Sequence, residues 1–182
     1  MKTIHGIVAL ALAVACVSGV TTAENKFVGV KRCMACHKIE KMGGLAYAVW
    51  EKSPHAMAFE TLKSKAAEEI AKKRGLTKPA SESPECLKCH VSGGGTAKNV
   101  DVSYKMEEGV TCEACHGAAS GFIGLHNKKD DESKAKAKAA GLVVGDDVKK
   151  VCETCHNSGS PSFKGFKFAE AWAKIEHGGP KK

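Results

Sequence analysis

The sequence predicts a compact, mainly α fold with little regular β, and three observations predict it. Four copies of Cys-x-x-Cys-His recur, at residues 33–37, 86–90, 112–116 and 152–156, each pairing its thiols about one helical turn apart. Apolar residues between the motifs repeat at helical intervals, whereas strand-like alternation is confined to Val100, Val102 and Tyr104. Aromatic residues make up only 5% of the chain, so side chains alone give a thin core for this length.

The motif spacing is the attachment signature of c-type haem: two thiols take the macrocycle and the adjacent histidine lies under the iron. With histidine at 8 of 182 residues, four chance occurrences would be an accident on the order of one in 10⁵. Zinc held by four thiolates would not require a histidine after every second cysteine, and a dithiol redox enzyme would not need four copies. The expected cofactors are therefore four haem c. They attach at Cys33, Cys36, Cys86, Cys89, Cys112, Cys115, Cys152 and Cys155, with His37, His90, His116 and His156 as proximal ligands. The fold expected is a multihaem cytochrome c wrapped around four clustered covalent haems.

From the N-terminus, Lys2 precedes an uncharged run over residues 4–20, then Thr21-Thr22-Ala23 and Glu24. This reads as a secretory leader, residues 1–23, cut after Ala23. Its apolar run is shorter than the ~20 residues of a spanning helix, and no later stretch is apolar enough to cross a bilayer. The expectation is a periplasmic protein whose residues 24–182 form a single tetrahaem domain. Of nine cysteines, Cys16 leaves with the leader and the other eight fill the motifs. Cys16 as a lipoprotein anchor is the minor alternative, since Ala13-Val14-Ala15 makes a poor lipobox.

Residues 24–182 carry 27 basic and 20 acidic side chains, a net +7. Four haems, each formally −1 ferric or −2 ferrous, bring that to about +3 oxidised and about −1 reduced. The basic balance compensates for haem and does not point to nucleic acid.

Along the domain, Ser53 suits an N-cap and Pro54 the first helical position. A helix is expected through Arg74, stopped at Gly75, with His55, Phe59, Leu62, Ala66 and Ile70 on one face. Gly93-Gly94-Gly95 after the second motif cannot be regular structure. Residues 128–140, charged and alanine-rich, suit a solvated helix or loop, or a partner-docking element. Asp146 or Asp147 can cap the helix of the fourth motif. A last helix over residues 168–176 has Phe168, Trp172 and Ile175 as its inner stripe and ends at Gly178-Gly179.

Ligand arithmetic follows. Without His5 of the leader, seven histidines remain, four of them proximal. His55, His126 and His177 are the three spare imidazoles, and three cannot serve four irons. Each also has a plainer role: His55 as a core residue, His126 as loop surface, His177 as a cation at a helix C-terminus. Of the thioethers, Met34 is trapped inside the first motif and Met57 suits helix packing. Met42 and Met106 remain candidates for ligation.

Read in order, Lys31-Arg-Cys-Met-Ala-Cys-His-Lys, Ser53-Pro-His-Ala-Met-Ala-Phe-Glu-Thr-Leu, Cys86-Leu-Lys-Cys-His-Val, Met106-Glu-Glu-Gly-Val-Thr-Cys-Glu-Ala-Cys-His-Gly, Gly124-Leu-His126 and Phe166-Lys-Phe168 resemble the tetrahaem cytochrome c-554 family. One member of that family accepts electrons from hydroxylamine oxidoreductase. The resemblance implies His126 on the first haem, His177 on the third and His55 on the fourth. It leaves the second haem, on His90, five-coordinate.

The function expected is extracytoplasmic electron transfer between redox partner proteins. A globule of this size has a radius of gyration of ~15 Å, so four macrocycles lie within electron-exchange distance. The competing reading is a small-molecule reductase, of nitric oxide or nitrite type, at the open haem. A filament subunit would need a histidine donated between copies, and all three spares have intramolecular uses; a monomer is favoured.

Overall fold

The computed structural model describes residues 24–95, 98–128 and 130–178; the leader, Cys16 and Gly179 lie outside them. Among the described residues ten short α-helices, of four to nine residues each, follow in order: α1 (Val30–His37), α2 (Glu40–Gly43), α3 (Ala46–Glu51), α4 (Ala58–Thr61), α5 (Lys65–Lys73), α6 (Pro84–His90), α7 (Cys112–His116), α8 (Asp131–Ala139), α9 (Asp147–Cys155) and α10 (Phe168–Ile175). Among the described residues extended pairing is limited to one parallel bridge, Phe27 with Val100. The mainly α expectation therefore stands, and the Val100–Tyr104 alternation yields only that bridge.

Each motif lies on its own short helix, α1, α6, α7 and α9, with His156 standing just past the end of α9 as its C-cap. Helix α6 starts with Pro84 in its first turn, where the missing N–H costs nothing. Asp146 stands at the N-cap of α9, as expected, but its side chain makes no capping bond. Residues 131–139 are helical, N-capped by Asp130, whose Oδ1 accepts from Ser133 N at 2.7 Å. That helix is not wholly solvated, because Ala137 is fully buried.

The long helix expected from Ser53 to Arg74 is broken. Ser53 Oγ donates backwards to Trp50 O at 2.7 Å, which closes α3 instead of capping a new helix. Residues 54–57 are turns, α4 spans only four residues, and Ser64 supplies the cap of α5 by accepting from Ala67 N. The new start shifts the buried phase: Phe59 and Leu62 face inward as expected, but Ala66 is exposed and Ala71 is buried in its place. The expected stop holds, with Gly75 left-handed at φ 69°.

Side-chain packing forms two small clusters. One gathers Phe59, Leu62, Ala71, Ala80, Leu87 and Val91, with Met106 against it. The other gathers Val28, Ala119, Phe122 and Ala137. The eight motif cysteines are all half-buried, and Cys86 packs against the first cluster.

Candidate haem-binding site

The motif helices touch in an order unlike the chain order: α1 packs on α7, α7 on α9, and α9 on α6. The thiols follow suit. Cys33 lies against Cys112, and Cys89 against Cys155, whose Sγ is 3.9 Å from Lys88 O. Two motifs therefore meet back to back at each end of the cluster. Among the described residues no three His, Cys, Asp or Glu side chains gather as a metal cage.

The histidines are distributed differently, in pairs. His37 faces His126 with ring centroids 6.0 Å apart and planes within 2°. His116 faces His177 at 5.9 Å and 71°, and His55 faces His156 at 5.9 Å and 76°. Each pair joins one motif histidine to one spare histidine. A metal–imidazole bond of ~2 Å on each side of one iron sets ring centroids roughly 6 Å apart, so the donor pairs fit a two-histidine haem iron. His90 has no such partner among the described residues.

Local structure fixes the rings. Backbone carbonyls lie beside Nδ1 of five imidazoles: Gly43 O for His37 (3.2 Å), Ala58 O for His90 (2.7 Å), Val143 O for His116 (2.8 Å), Phe122 O for His126 (3.3 Å) and Ile175 O for His177 (2.9 Å). An Nδ1–H donated to a carbonyl leaves Nε2 as the metal-facing atom. His156 has Phe166 instead, stacked at 4.8 Å and 14°. Burial holds His37, His55 and His116 below the ordinary imidazole pKa, with the neighbouring imidazoles adding to the effect; the neutral ring is the ligating form. His55 is anchored through its backbone, its carbonyl accepting from Val110 N at 3.1 Å. His55, His116, His177, Cys115, Trp50 and Ile175 line one common apolar cavity, so the fourth-motif and third-motif pairs adjoin.

Sequence reading missed several residues that build this site. Gly43 is one: a Cβ there would stand 2.5 Å from His37 Cα. Glu113, inside the third motif, is another. It is 2% exposed and accepts from Val28, Gly29 and Ala119 amides, while burial pushes its carboxyl up against the pull of those bonds. Ser92 and Thr111, both buried, bond each other at 2.8 Å and tie the exit of the second motif to the entry of the third. Thr111 and Glu113 lie in the quoted segment 106–117, but no pattern in the sequence shows which distant groups they bond, and Gly43 and Ser92 fall in no motif. Met42 is exposed and Met106 packs against the cluster around Phe59.

The model of the family described as "Cytochrome c554 and c-prime" matches residues 32–117. Cytochrome c-554 of Nitrosomonas europaea is 32% identical over 174 residues, covering 89% of this chain and 71% of that protein. No solved structure matches the chain.

Proposed function

The chain belongs to the cytochrome c554 family, and from that premise we propose that it carries electrons outside the cytoplasm through four covalently attached haems. Haem-based electron transfer is the chemistry of the family; the number of haems, their ligands and the location are this proposal. The observation that supports it most is the pairing of three motif histidines with the three spare histidines at 5.9–6.0 Å.

In this reading Cys33/Cys36, Cys86/Cys89, Cys112/Cys115 and Cys152/Cys155 hold the four haems. His126, His177 and His55 lie opposite His37, His116 and His156, and His90 stands alone. The bound haems supply one-electron iron chemistry. The polypeptide's part is geometric. Carbonyls of Gly43, Val143, Phe122 and Ile175 hold imidazole planes before and after a change of iron charge, which keeps reorganisation small. Contacts among α1, α7, α9 and α6 support an order of the four sites as first, third, fourth, second. A leader at residues 1–23 accords with haem attachment outside the cytoplasm, and no helix among the described residues is long and apolar enough to cross a membrane. Redox proteins serve as donor and acceptor.

Electron paramagnetic resonance of the oxidised protein, with intact mass, tests the reading. It expects a mass increment of four haems and one high-spin ferric signal beside three low-spin ones. Fewer haems, or four low-spin signals, would overturn it. A reductase acting at His90 is the second reading, favoured by that residue's lack of a facing imidazole. Binding of nitric oxide by the reduced protein at one iron without sustained consumption decides for the carrier.

A further inference from the structure

Glu113 sits between the cysteines of the third motif, yet its carboxylate is spent on the first. Oε1 accepts from Val28 N at 2.9 Å and Ala119 N at 2.8 Å; Oε2 accepts from Val28 N at 3.0 Å and Gly29 N at 2.8 Å. Glu108 Oε2 takes the next amide, Val30 N, at 2.8 Å. These three amides lead into α1, whose N-cap Gly29 offers no side-chain cap of its own, and helix starts leave such donors without intrahelical partners.

Every contact to Glu113 comes from an N–H donor, so a protonated carboxyl would find nothing to donate to. The site is built for the anion. The carboxylate belongs to the residue after Cys112 and bonds the amides that lead into the helix of Cys33, so it stands between the first and third attachment sites.

We propose that Glu113, seconded by Glu108, is a positioning residue for electron transfer: it clamps the first attachment helix to the third motif and sets a fixed negative charge beside that pair of haems. A fixed anion in a poorly screened interior favours the more positive ferric state, so the first and third potentials are lower with Glu113 than without it. This rests on the four-haem reading above.

Holoproteins Glu113→Gln and Glu108→Gln are compared with the parent by intact mass and by spectroelectrochemical titration of all four potentials. In Glu113→Gln, two potentials shift positive together and two stay put, with four haems retained. Glu108→Gln, whose amide oxygen still accepts from Val30 N, moves the same two potentials in the same direction by less. Four unmoved potentials, or four moved equally, overturn the proposal. Should Glu113→Gln fail to accumulate, Glu108→Gln decides: a selective positive shift supports the clamp and no shift refutes it. A parent mass short of four haems would sink the haem reading and this proposal with it, whereas four haems with unmoved potentials would sink this proposal alone.

Discussion

Gly43→Ala would crowd His37, a proposed haem ligand, from the neighbouring helix. Gly43 is buried at the end of α2, and its carbonyl faces His37 Nδ1 at 3.2 Å. An added Cβ would stand 2.5 Å from His37 Cα, 2.7 Å from Nδ1 and 2.8 Å from Cγ, against an ordinary carbon contact of about 3.5–4.0 Å. His37 Cα belongs to the last turn of α1, so the main chain must shift by roughly 1 Å. Overpacking of this kind costs about 1–3 kcal/mol, and a weakened N–H···O bond adds about 1 kcal/mol. For a chain of this size each kcal/mol moves Tm by about 2–4 °C, which gives a fall of roughly 4–16 °C. Thermal unfolding followed in the visible band reads the fall. Paramagnetic resonance should show one low-spin signal altered and the others intact. Gly124→Ala is the control, since a Cβ there meets nothing within 4 Å. A Gly43→Ala protein with the parent's Tm and an unchanged spectrum would refute the argument.

Further outcomes follow from the same geometry. Replacing His55, His126 or His177 by Ala should each turn one low-spin haem high-spin with the mass unchanged; a fully low-spin His177→Ala protein would return that residue to a helix-end role. Phe59→Ala, at a position only 5% exposed in the larger cluster, should lose about 3–5 kcal/mol of stability, read from the shift in urea midpoint at constant m. Tyr104 donates to Ser92 O at 2.6 Å, and burial, aided by Glu108, Glu113 and Glu107, pushes its hydroxyl up to about 12. The free phenol titrates near ~10. Because the folded value is the higher one, its contribution is complete below the unfolded pKa and is lost as pH rises through the folded value. Urea midpoints from pH 9 to 12 should therefore fall more steeply for the parent than for Tyr104→Phe.

The residues of the candidate site were largely legible because their chemistry is local in sequence. Cys-x-x-Cys-His needs one helical turn and nothing else, and the structure places each copy on a helix. The α10 stripe was legible for the same reason: Phe168, Trp172 and Ile175 are half-buried together, and the first two rings stack at 5.7 Å. The break between α4 and α5 was not. Ser53 satisfies a cap propensity and a helix-closing role equally well, and only the position of Trp50 O chooses between them. Nor was Glu113 legible. A glutamate inside a short helix is ordinarily a solvated face, and its three amide donors come from segments up to 85 residues away.

That break has a use that the periodic pattern concealed. A continuous helix from Ser53 would bond the carbonyls of His55 and Ala58 to amides four residues on. In the broken form His55 O accepts both the local Ala58 N at 3.2 Å and Val110 N at 3.1 Å, at the entry of the third motif, while Ala58 O faces His90 Nδ1 at 2.7 Å. The turn 54–57 thus carries His55, whose ring faces His156, and sets the start of α4, whose first residue Ala58 supplies the carbonyl beside His90. The second and fourth motifs are coupled through it, as the first and third are through Glu113. Lengthening that turn by one residue should disturb both irons at once, where a side-chain replacement disturbs one; an insertion of Gly after Met57 that altered only a single haem signal would show the two sites to be set independently.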